Sequence, residues 1–133
     1  MRSYILDTHF LLWSLSDTQK LSPPVLSILE NPANQIYFSQ LSLIEISIKL
    51  KVGKINLLST IDKLYSEAIE KASFIFLPIA NEHIFSYQNL PLYEQHRDPF
   101  DRLLIATAIQ ENMTIITADE KFKLYEGLVE IIS

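Results

Sequence analysis

The sequence predicts an α/β fold, a three-layer α/β/α sandwich around a mostly parallel central sheet. Short apolar or β-branched stretches alternate with longer stretches of helical spacing, from "YILD" near the start to "TIIT" near the end. Such alternation is typical of parallel strands joined by helices that cover both faces of a sheet. The chain has 133 residues, 48% of them hydrophobic, which suits one compact core. We therefore expect a single domain over residues 1–133.

The first part of the chain predicts two strands and three helices. In order, they are the strand "YILD" (4–7), the helices "HFLLWSL" (9–15) and "LSPPVLSILENP" (21–32), the strand "QIYFS" (35–39) and the helix "SLIEISIKLKVG" (42–53). Ser22 before two prolines is typical of a helix N-terminus, because Ser caps the first amides and Pro fits the first helical positions. We expect Ser42 to cap the third helix and Gly53 to end it.

The second part of the chain continues the alternation of helices and strands. It predicts an amphipathic helix "STIDKLYSEAIEKA" (59–72), a strand "FIFLPI" (74–79), a weak helix near 81–89, a helix opened by "DPFD" (98–101), a strand "TIIT" (114–117) and a last strand "LVEII" (128–132). In the first of these, Ile61, Leu64, Tyr65 and Ala68 form one apolar stripe with charged residues opposite it. Only two glycines are present, so a glycine-rich phosphate loop is excluded.

Composition excludes several classes of protein. The chain has no cysteine, so it forms neither a disulfide framework nor a thiolate metal site, and a reducing compartment is expected. Asp7 occurs before any apolar stretch long enough for a signal peptide, and no other apolar run approaches the length of a membrane span. We therefore expect a cytoplasmic protein without a membrane partner. The net charge of −5 argues against a nucleic-acid partner unless the acids cluster around cations.

Four acids are expected at one edge of the sheet. Asp7 ends the first strand, and Asp119 follows "TIIT" by two residues. Glu45 and Asp101 lie in the predicted first turns of two helices, and Glu45 also comes soon after the strand "QIYFS". Ligands of open α/β sheets bind outside the carboxyl ends of the strands. All four side chains can therefore approach one place.

Each acid also has a purely structural interpretation. Ser42 and Glu45 have the spacing of a capping box, and Asp98 before a proline is typical of a helix start. Asp119 can cap the segment that follows it, and Asp7 has such a role if it caps the next helix. The residues alone leave capping and ligand roles open.

A cluster of carboxylates suits a hard divalent cation. Mg²⁺ and Mn²⁺ take carboxylate oxygens, and Mg²⁺ usually binds through one or two carboxylates together with waters and substrate phosphates. A bound cation can activate water and stabilise the leaving oxygen of an in-line phosphoryl displacement. The predicted reaction class is therefore hydrolysis of a phosphodiester.

The stretches that carry these acids resemble a known family. "LDTHFLLW", "SLIEISIK", "HRDPFDRLLIATA" and "TIITADEKFKLY" occur in the order and approximate spacing of PIN-domain proteins, in particular the VapC-like toxins of bacterial type II toxin–antitoxin pairs. The resemblance covers almost the entire chain. It implies a Mg²⁺- or Mn²⁺-dependent endoribonuclease that hydrolyses RNA by in-line attack of metal-activated water. The catalytic and metal-binding acids of the family match Asp7, Glu45, Asp101 and Asp119.

Neighbouring residues are candidates for supporting roles. Asp98 matches an additional acid of the family's "RDPFDR" variant, as a helix cap, an outer-shell group or a water-mediated ligand. Thr8 and Thr117 can orient carboxylates or bound water, although such hydroxyls often serve the backbone. Arg102 can meet a phosphate or pair with a nearby acid. The resemblance implies three partners: an RNA substrate, a cognate antitoxin protein and a second copy of this chain in a homodimer.

Other functions stay open at this point. A receiver-type signalling domain also binds Mg²⁺ at strand-end aspartates, but it would have a second acid near Asp7, where Thr8 and His9 stand, and a lysine after its last strand. A catalytically inactive PIN-like RNA-binding module is disfavoured by the complete set of acids. A metal-free ribonuclease would need a histidine pair, and nothing in the sequence places His9, His83 or His96 together.

Overall fold

The computed structural model describes residues 2–133 and contains a five-stranded sheet whose strand pairs are all parallel. The strands are β1 (Ser3–Leu6), β2 (Gln35–Ser39), β3 (Ile75–Leu77), β4 (Thr114–Ile116) and β5 (Ile131–Ile132). Their order across the sheet is β3-β2-β1-β4-β5. Every predicted strand is present, although the last is reduced to two residues of the predicted five.

Six α-helices connect and flank the strands. They are α1 (Thr8–Ser16), α2 (Pro23–Glu30), α3 (Gln40–Lys51), α4 (Ile61–Glu70), α5 (Asn81–Tyr87) and α6 (Pro99–Glu111), with short 3-10 helices at Thr18–Lys20 and Glu120–Tyr125. Each α-helix lies where the sequence predicts one. Within residues 2–133, none of these helices combines the length and the apolar character that crossing a membrane requires.

The alternation of side chains along the strands creates two hydrophobic cores. Successive strand residues point to opposite faces of the sheet. Leu6, Phe38 and Ile116 pack with residues of α1, α2 and α4 on one face. Ile5 and Ile115 pack with residues of α6 and the second 3-10 helix on the other face. The predicted three-layer α/β/α sandwich is confirmed.

The start of α3 differs from the prediction. Ser39, not Ser42, is the N-cap, and its Oγ accepts a hydrogen bond from the backbone N–H of Leu41 at 3.0 Å. Because β2 runs directly into α3 without a linker, the helix begins before Ser42, whose hydroxyl contacts Thr8 instead. Gly53 follows the helix with φ +79°, the left-handed conformation in which glycine commonly ends a helix.

The strand order reverses at β1. β2 and β3 lie on one side of β1, and the chain then crosses to the other side, where β4 lies next to β1. A reversal of this kind leaves a crevice at the carboxyl ends of the two strands that flank it. Leu6 is in register with Ile116, so the next residues, Asp7 and Thr117, emerge side by side.

Candidate metal centre

Four acidic side chains meet at this crevice. Asp7, Glu45, Asp101 and Asp119 line one pocket of about 180 Å³, and Asp98 joins them at its wall. Asp7 follows β1, Glu45 lies on α3, Asp101 lies on α6 and Asp119 follows β4. The rest of the pocket is lined by Thr8, His9, Lys49 and Phe122. The structure therefore brings together all four acids that the sequence singles out.

Asp7 is both a helix cap and a member of the pocket. Its Oδ1 accepts the backbone N–H of Phe10 at 2.9 Å as the N-cap of α1, and its Oδ2 accepts the hydroxyl of Thr117 at 2.5 Å. Burial raises the pKa of Asp7, while the hydrogen bonds from Thr117 and Phe10 act in the opposite direction. Capping fixes the carboxylate at the end of β1 without removing it from the site.

Glu45 lies in the second turn of α3, which excludes the capping-box interpretation. The hydroxyl of Thr8 is 2.6 Å from Glu45 Oε1 and 3.0 Å from the Oγ of Ser42. Since Thr8 has one hydroxyl proton and a carboxylate only accepts, Thr8 donates to Glu45 and accepts from Ser42. On the other oxygen, Lys49 Nζ lies 2.9 Å from Glu45 Oε2.

Asp98 begins α6 as the sequence predicts. Its Oδ1 accepts the backbone N–H groups of Phe100 at 2.9 Å and Asp101 at 3.2 Å. Asp101 then lies in the first turn, where the helix dipole favours a carboxylate. The role of Asp98 as a cap is shown, and any contribution to metal binding stays a prediction.

The carboxyl of Asp101 is partly buried and lies in the same pocket as the other acids. Burial, followed by repulsion from Asp98, Glu45, Asp119 and Asp7, raises its pKa to about 7. A carboxyl held this far above its usual range favours a proton, or a cation in its place. This observation fits a site built for a bound cation.

Asp119 joins the site through the loop after β4. Its Oδ1 accepts the backbone N–H of Lys121 at 3.0 Å as the cap of the second 3-10 helix. Its own N–H donates to the Thr117 hydroxyl at 3.1 Å. Because that hydroxyl also donates to Asp7, Thr117 links two of the four acids.

Arg102 does not line the pocket. Its side chain is buried, and Nη1 donates to the hydroxyl of Tyr125 and to the carbonyl of Pro91, each at 2.9 Å. Nε donates to the hydroxyl of Tyr87 at 3.3 Å. The structure thus places Arg102 in a buried hydrogen-bond network and gives no support to direct contact with a substrate phosphate.

Two further side chains, Lys49 and His96, contact the acids of the pocket, and Tyr125 contacts His96. The sequence did not single out any of the three for such a role. The pairing of Lys49 with Glu45 follows from their spacing of four residues on a helix. His96 Nε2 lies 3.2 Å from Asp101 Oδ2, and His96 Nδ1 lies 3.0 Å from the hydroxyl of Tyr125. Burial lowers the pKa of His96. No local pattern indicates the contact of His96 with Tyr125, which lies 29 residues further along the chain, whereas the contact of His96 with Asp101 spans only five residues.

The donor set is dominated by oxygen. One ring nitrogen of His96 and one carboxylate oxygen each of Asp101 and Asp119 lie within 4.8 Å of one another. Asp7 and Glu45 add carboxylates to the same pocket. Several carboxylates with few nitrogen donors suit a hard cation such as Mg²⁺ or Mn²⁺.

Solved structures share this fold over nearly their whole length. A chain of the VapBC2 structure from Rickettsia felis, bound to a DNA fragment from its promoter, matches with a TM-score of 0.72 and 19% identity, covering 98% of this chain and 97% of that one. VapBC-1 from nontypeable Haemophilus influenzae matches with a TM-score of 0.68 and 17% identity over 98% and 97%. A member of the VapBC family of toxin–antitoxin systems from Mycobacterium tuberculosis matches with a TM-score of 0.61 and 15% identity over 99% and 97%.

Sequence comparison points the same way. A search of curated proteins finds no match. The family model described as "PIN domain", however, matches residues 4–128. That span includes β1 from its second residue onward, the whole of β2, β3 and β4, and every acid that lines the pocket. With a match over most of its length and an all-parallel fold that carries the expected acids at the strand reversal, this chain belongs to the PIN domain family.

Proposed function

We propose that this protein is a divalent-metal-dependent endoribonuclease and the toxin of a toxin–antitoxin pair, with residues 1–133 acting as one PIN-like domain. The observation that carries the proposal is the convergence of four carboxylates from separate elements on one pocket. Like charges at close range destabilise a fold unless a cation offsets them. Their joint presence at the strand reversal therefore supports a ligand role beyond helix capping.

In this proposal Asp7, Glu45, Asp101 and Asp119 hold Mg²⁺ or Mn²⁺ and form the catalytic centre. When bound, the cation supplies positive charge for phosphoryl transfer and lowers the pKa of the attacking water. Thr117 orients Asp7 by donating to its Oδ2. Lys49, described above beside Glu45, also lines the pocket and provides a positive charge for a substrate phosphate.

An aromatic edge beside the acids supports a single-stranded RNA substrate. His9 and Trp13 line a second pocket together with Asp7 and Asp119, and their ring centroids lie 5.9 Å apart. Unstacked bases of single-stranded RNA bind by stacking on aromatic side chains. A phosphate held at the acids would bring a neighbouring base to this edge.

The proposed partner protein has a suitable apolar surface. A groove next to α1 and α4 is lined by leucines at positions 12, 15, 57, 58 and 64, and Leu58 is fully exposed. Contiguous exposed apolar surface is typical of interaction sites. The similar solved structures come from toxin–antitoxin assemblies, so we assign this groove to a cognate antitoxin and propose that the active protein is a homodimer.

The test of activity uses the purified chain and single-stranded RNA. Cleavage should require Mg²⁺ or Mn²⁺ and stop after chelation, with Ca²⁺ supporting it poorly. Glu45→Gln should abolish cleavage without unfolding the protein, whereas Glu111→Gln, which changes a glutamate outside the pocket, should cleave normally. Undiminished cleavage after thorough chelation would refute the metal-dependent mechanism.

The same assays separate the alternative functions. Cyclic-phosphate product ends would favour a metal-free histidine mechanism, and RNA binding without cleavage would favour an inactive module. Stable labelling by acetyl phosphate would favour a receiver-type domain. Light scattering tests the homodimer, and loss of cleavage on adding the protein encoded by the neighbouring reading frame tests the antitoxin.

A further inference from the structure

A line of buried hydrogen bonds runs from Arg102 to the acids of the pocket. Arg102 Nη1 is 2.9 Å from the hydroxyl of Tyr125, that hydroxyl is 3.0 Å from His96 Nδ1, and His96 Nε2 is 3.2 Å from Asp101 Oδ2. Arg102, Tyr125 and His96 are exposed by only 4%, 0% and 2%. Water is therefore excluded from the contacts among these three side chains, whereas Asp101 at the end of the line is 26% exposed.

The direction of each bond is fixed from the arginine end. A guanidinium only donates, so the oxygen of Tyr125 accepts from Arg102. The single hydroxyl proton of Tyr125 is then free to be donated to His96 Nδ1. A neutral imidazole that accepts at Nδ1 carries its proton at Nε2. That proton faces Asp101 Oδ2, 3.2 Å away, which accepts it when the Asp101 carboxyl is ionised.

A protonated imidazole does not fit this arrangement. It would place two donors, His96 Nδ1 and Arg102 Nη1, on the oxygen of Tyr125 and leave the hydroxyl proton without an acceptor on this line. The neutral form protonated at Nδ1 would place the same two donors on Tyr125 and set the lone pair of Nε2 against the ionised carboxylate of Asp101. With Asp101 ionised, the geometry therefore favours the neutral tautomer protonated at Nε2. A nitrogen that carries a proton has no lone pair for a metal ion, so this tautomer also prevents His96 Nε2 from acting as a ligand.

We propose that His96 is a positioning residue, which holds Asp101 by donating from Nε2 to Oδ2, and that Tyr125 and Arg102 fix the tautomer that makes this possible. The hydrogen bond at Oδ2 then holds the Asp101 carboxylate in one orientation. Hydrogen bonds to ligating carboxylates orient them and strengthen metal binding. The metal part of this inference rests on the proposed function, whereas the tautomer does not.

The tautomer is measured in the metal-free protein at about pH 9, well above the pKa of about 7 of Asp101, so that its carboxyl is ionised. Long-range proton–nitrogen NMR correlations of nitrogen-labelled histidine side chains should show His96 protonated at Nε2, with its signal assigned by its loss in His96→Gln. Tyr125→Phe removes only the hydroxyl and should shift His96 toward the other tautomer. His83, equally buried and bonded to the backbone of Ala80 through Nδ1, should not change. Protonation of His96 at Nδ1 in the unaltered protein would overturn the proposal.

Metal affinity separates positioning from ligation. Mn²⁺ binding, followed by electron paramagnetic resonance, should weaken by about 10–100-fold in His96→Leu. His96→Gln should stay within about threefold of the unaltered protein, because its amide N–H can replace the Nε2 donor. His83→Gln is the matched control for loss of a buried histidine, and circular dichroism confirms that each variant is folded.

Three results would count against the proposal in different ways. Equal Mn²⁺ affinity in folded His96→Leu and unaltered protein would show that His96 positions nothing. A loss in His96→Gln as large as that in His96→Leu would make His96 a ligand instead. Absence of Mn²⁺ binding in the unaltered protein would refute the proposed function and the positioning role, while the NMR result would still decide the tautomer.

Discussion

Replacing Asp101 by Asn tests whether the acids form a cluster that needs a cation. The pKa of Asp101 in the folded protein is about 7, against an ordinary value of 3.8. Between these values the folded protein holds a proton that the unfolded chain releases. The free energy of unfolding of the metal-free protein should therefore fall as the pH rises from about 4 to about 7, and Asp101→Asn should abolish most of that fall.

The magnitude follows from the same shift. A difference of about three pKa units corresponds to about 4 kcal/mol above pH 7, at about 1.4 kcal/mol per unit. The titration is shared among coupled acids, and Asn loses a helix-dipole interaction of about 0.3–1 kcal/mol. We therefore expect metal-free Asp101→Asn to be more stable than the unaltered protein by about 2–3 kcal/mol at pH 8, and close to equal at pH 4.

The assay is urea unfolding at both pH values in the presence of a chelator, followed by titration with Mg²⁺. Asp62→Asn is the control, because Asp62 lies in the first turn of α4 outside the pocket and its pKa is lowered, first by a hydrogen bond from Thr60. This control should lose stability at pH 8. If Asp101→Asn also loses stability at pH 8, as Asp62→Asn should, the acids of the pocket do not repel one another enough to need a cation. Added Mg²⁺ should raise the stability of the unaltered protein more than that of Asp101→Asn.

Three other substitutions test individual contacts. Glu45→Gln should abolish RNA cleavage while changing the free energy of unfolding by less than about 1 kcal/mol, since its ion pair with Lys49 is a partly exposed pair within one helix. Thr117→Val should lower stability by about 1–3 kcal/mol, seen in urea unfolding, because Asp7 Oδ2 loses its buried donor; an unchanged stability would contradict that hydrogen bond. Ser39→Ala removes the cap of α3 and should lower the free energy of unfolding by about 1 kcal/mol, measured by thermal unfolding. A negligible effect would mean that a later residue caps the helix.

The fold was predictable because periodicity and helix-start signals agree along most of the chain. "QIYFS" coincides with β2, and Ser22 with its prolines begins α2 as expected. The cap of α3 was not predictable, because Ser39 and Ser42 are equally good caps and only the tight junction with β2 selects the first. The stretch "LVEII" predicts a last strand of five residues, but only two of them form β5.

The candidate site was predictable in its acids but not in the residues around them. The rule that parallel strands end at one edge is enough to bring Asp7 and Asp119 together. The hydrogen bonds of His96 and Tyr125 depend on how the loop before α6 folds against the second 3-10 helix. The contact of His96 with Tyr125 joins segments 29 residues apart and leaves no periodic signal in the sequence. His96 and Asp101 are only five residues apart, but the loop before α6 has no regular spacing that would place one side chain beside the other.

The central position of β1 determines when the acidic pocket can assemble during synthesis of the chain. β1 and β4 are neighbours in the sheet although more than a hundred residues separate them, and the hydrogen bond between Thr117 and Asp7 closes the same separation. Contacts this distant along the chain form late, because they require a large loop to close first. On a ribosome, the first strand is finished long before its partner leaves the exit tunnel, and domains fold as their last elements emerge. The nascent chain therefore lacks an assembled acidic pocket until β4 and the segment that carries Asp119 have left the exit tunnel.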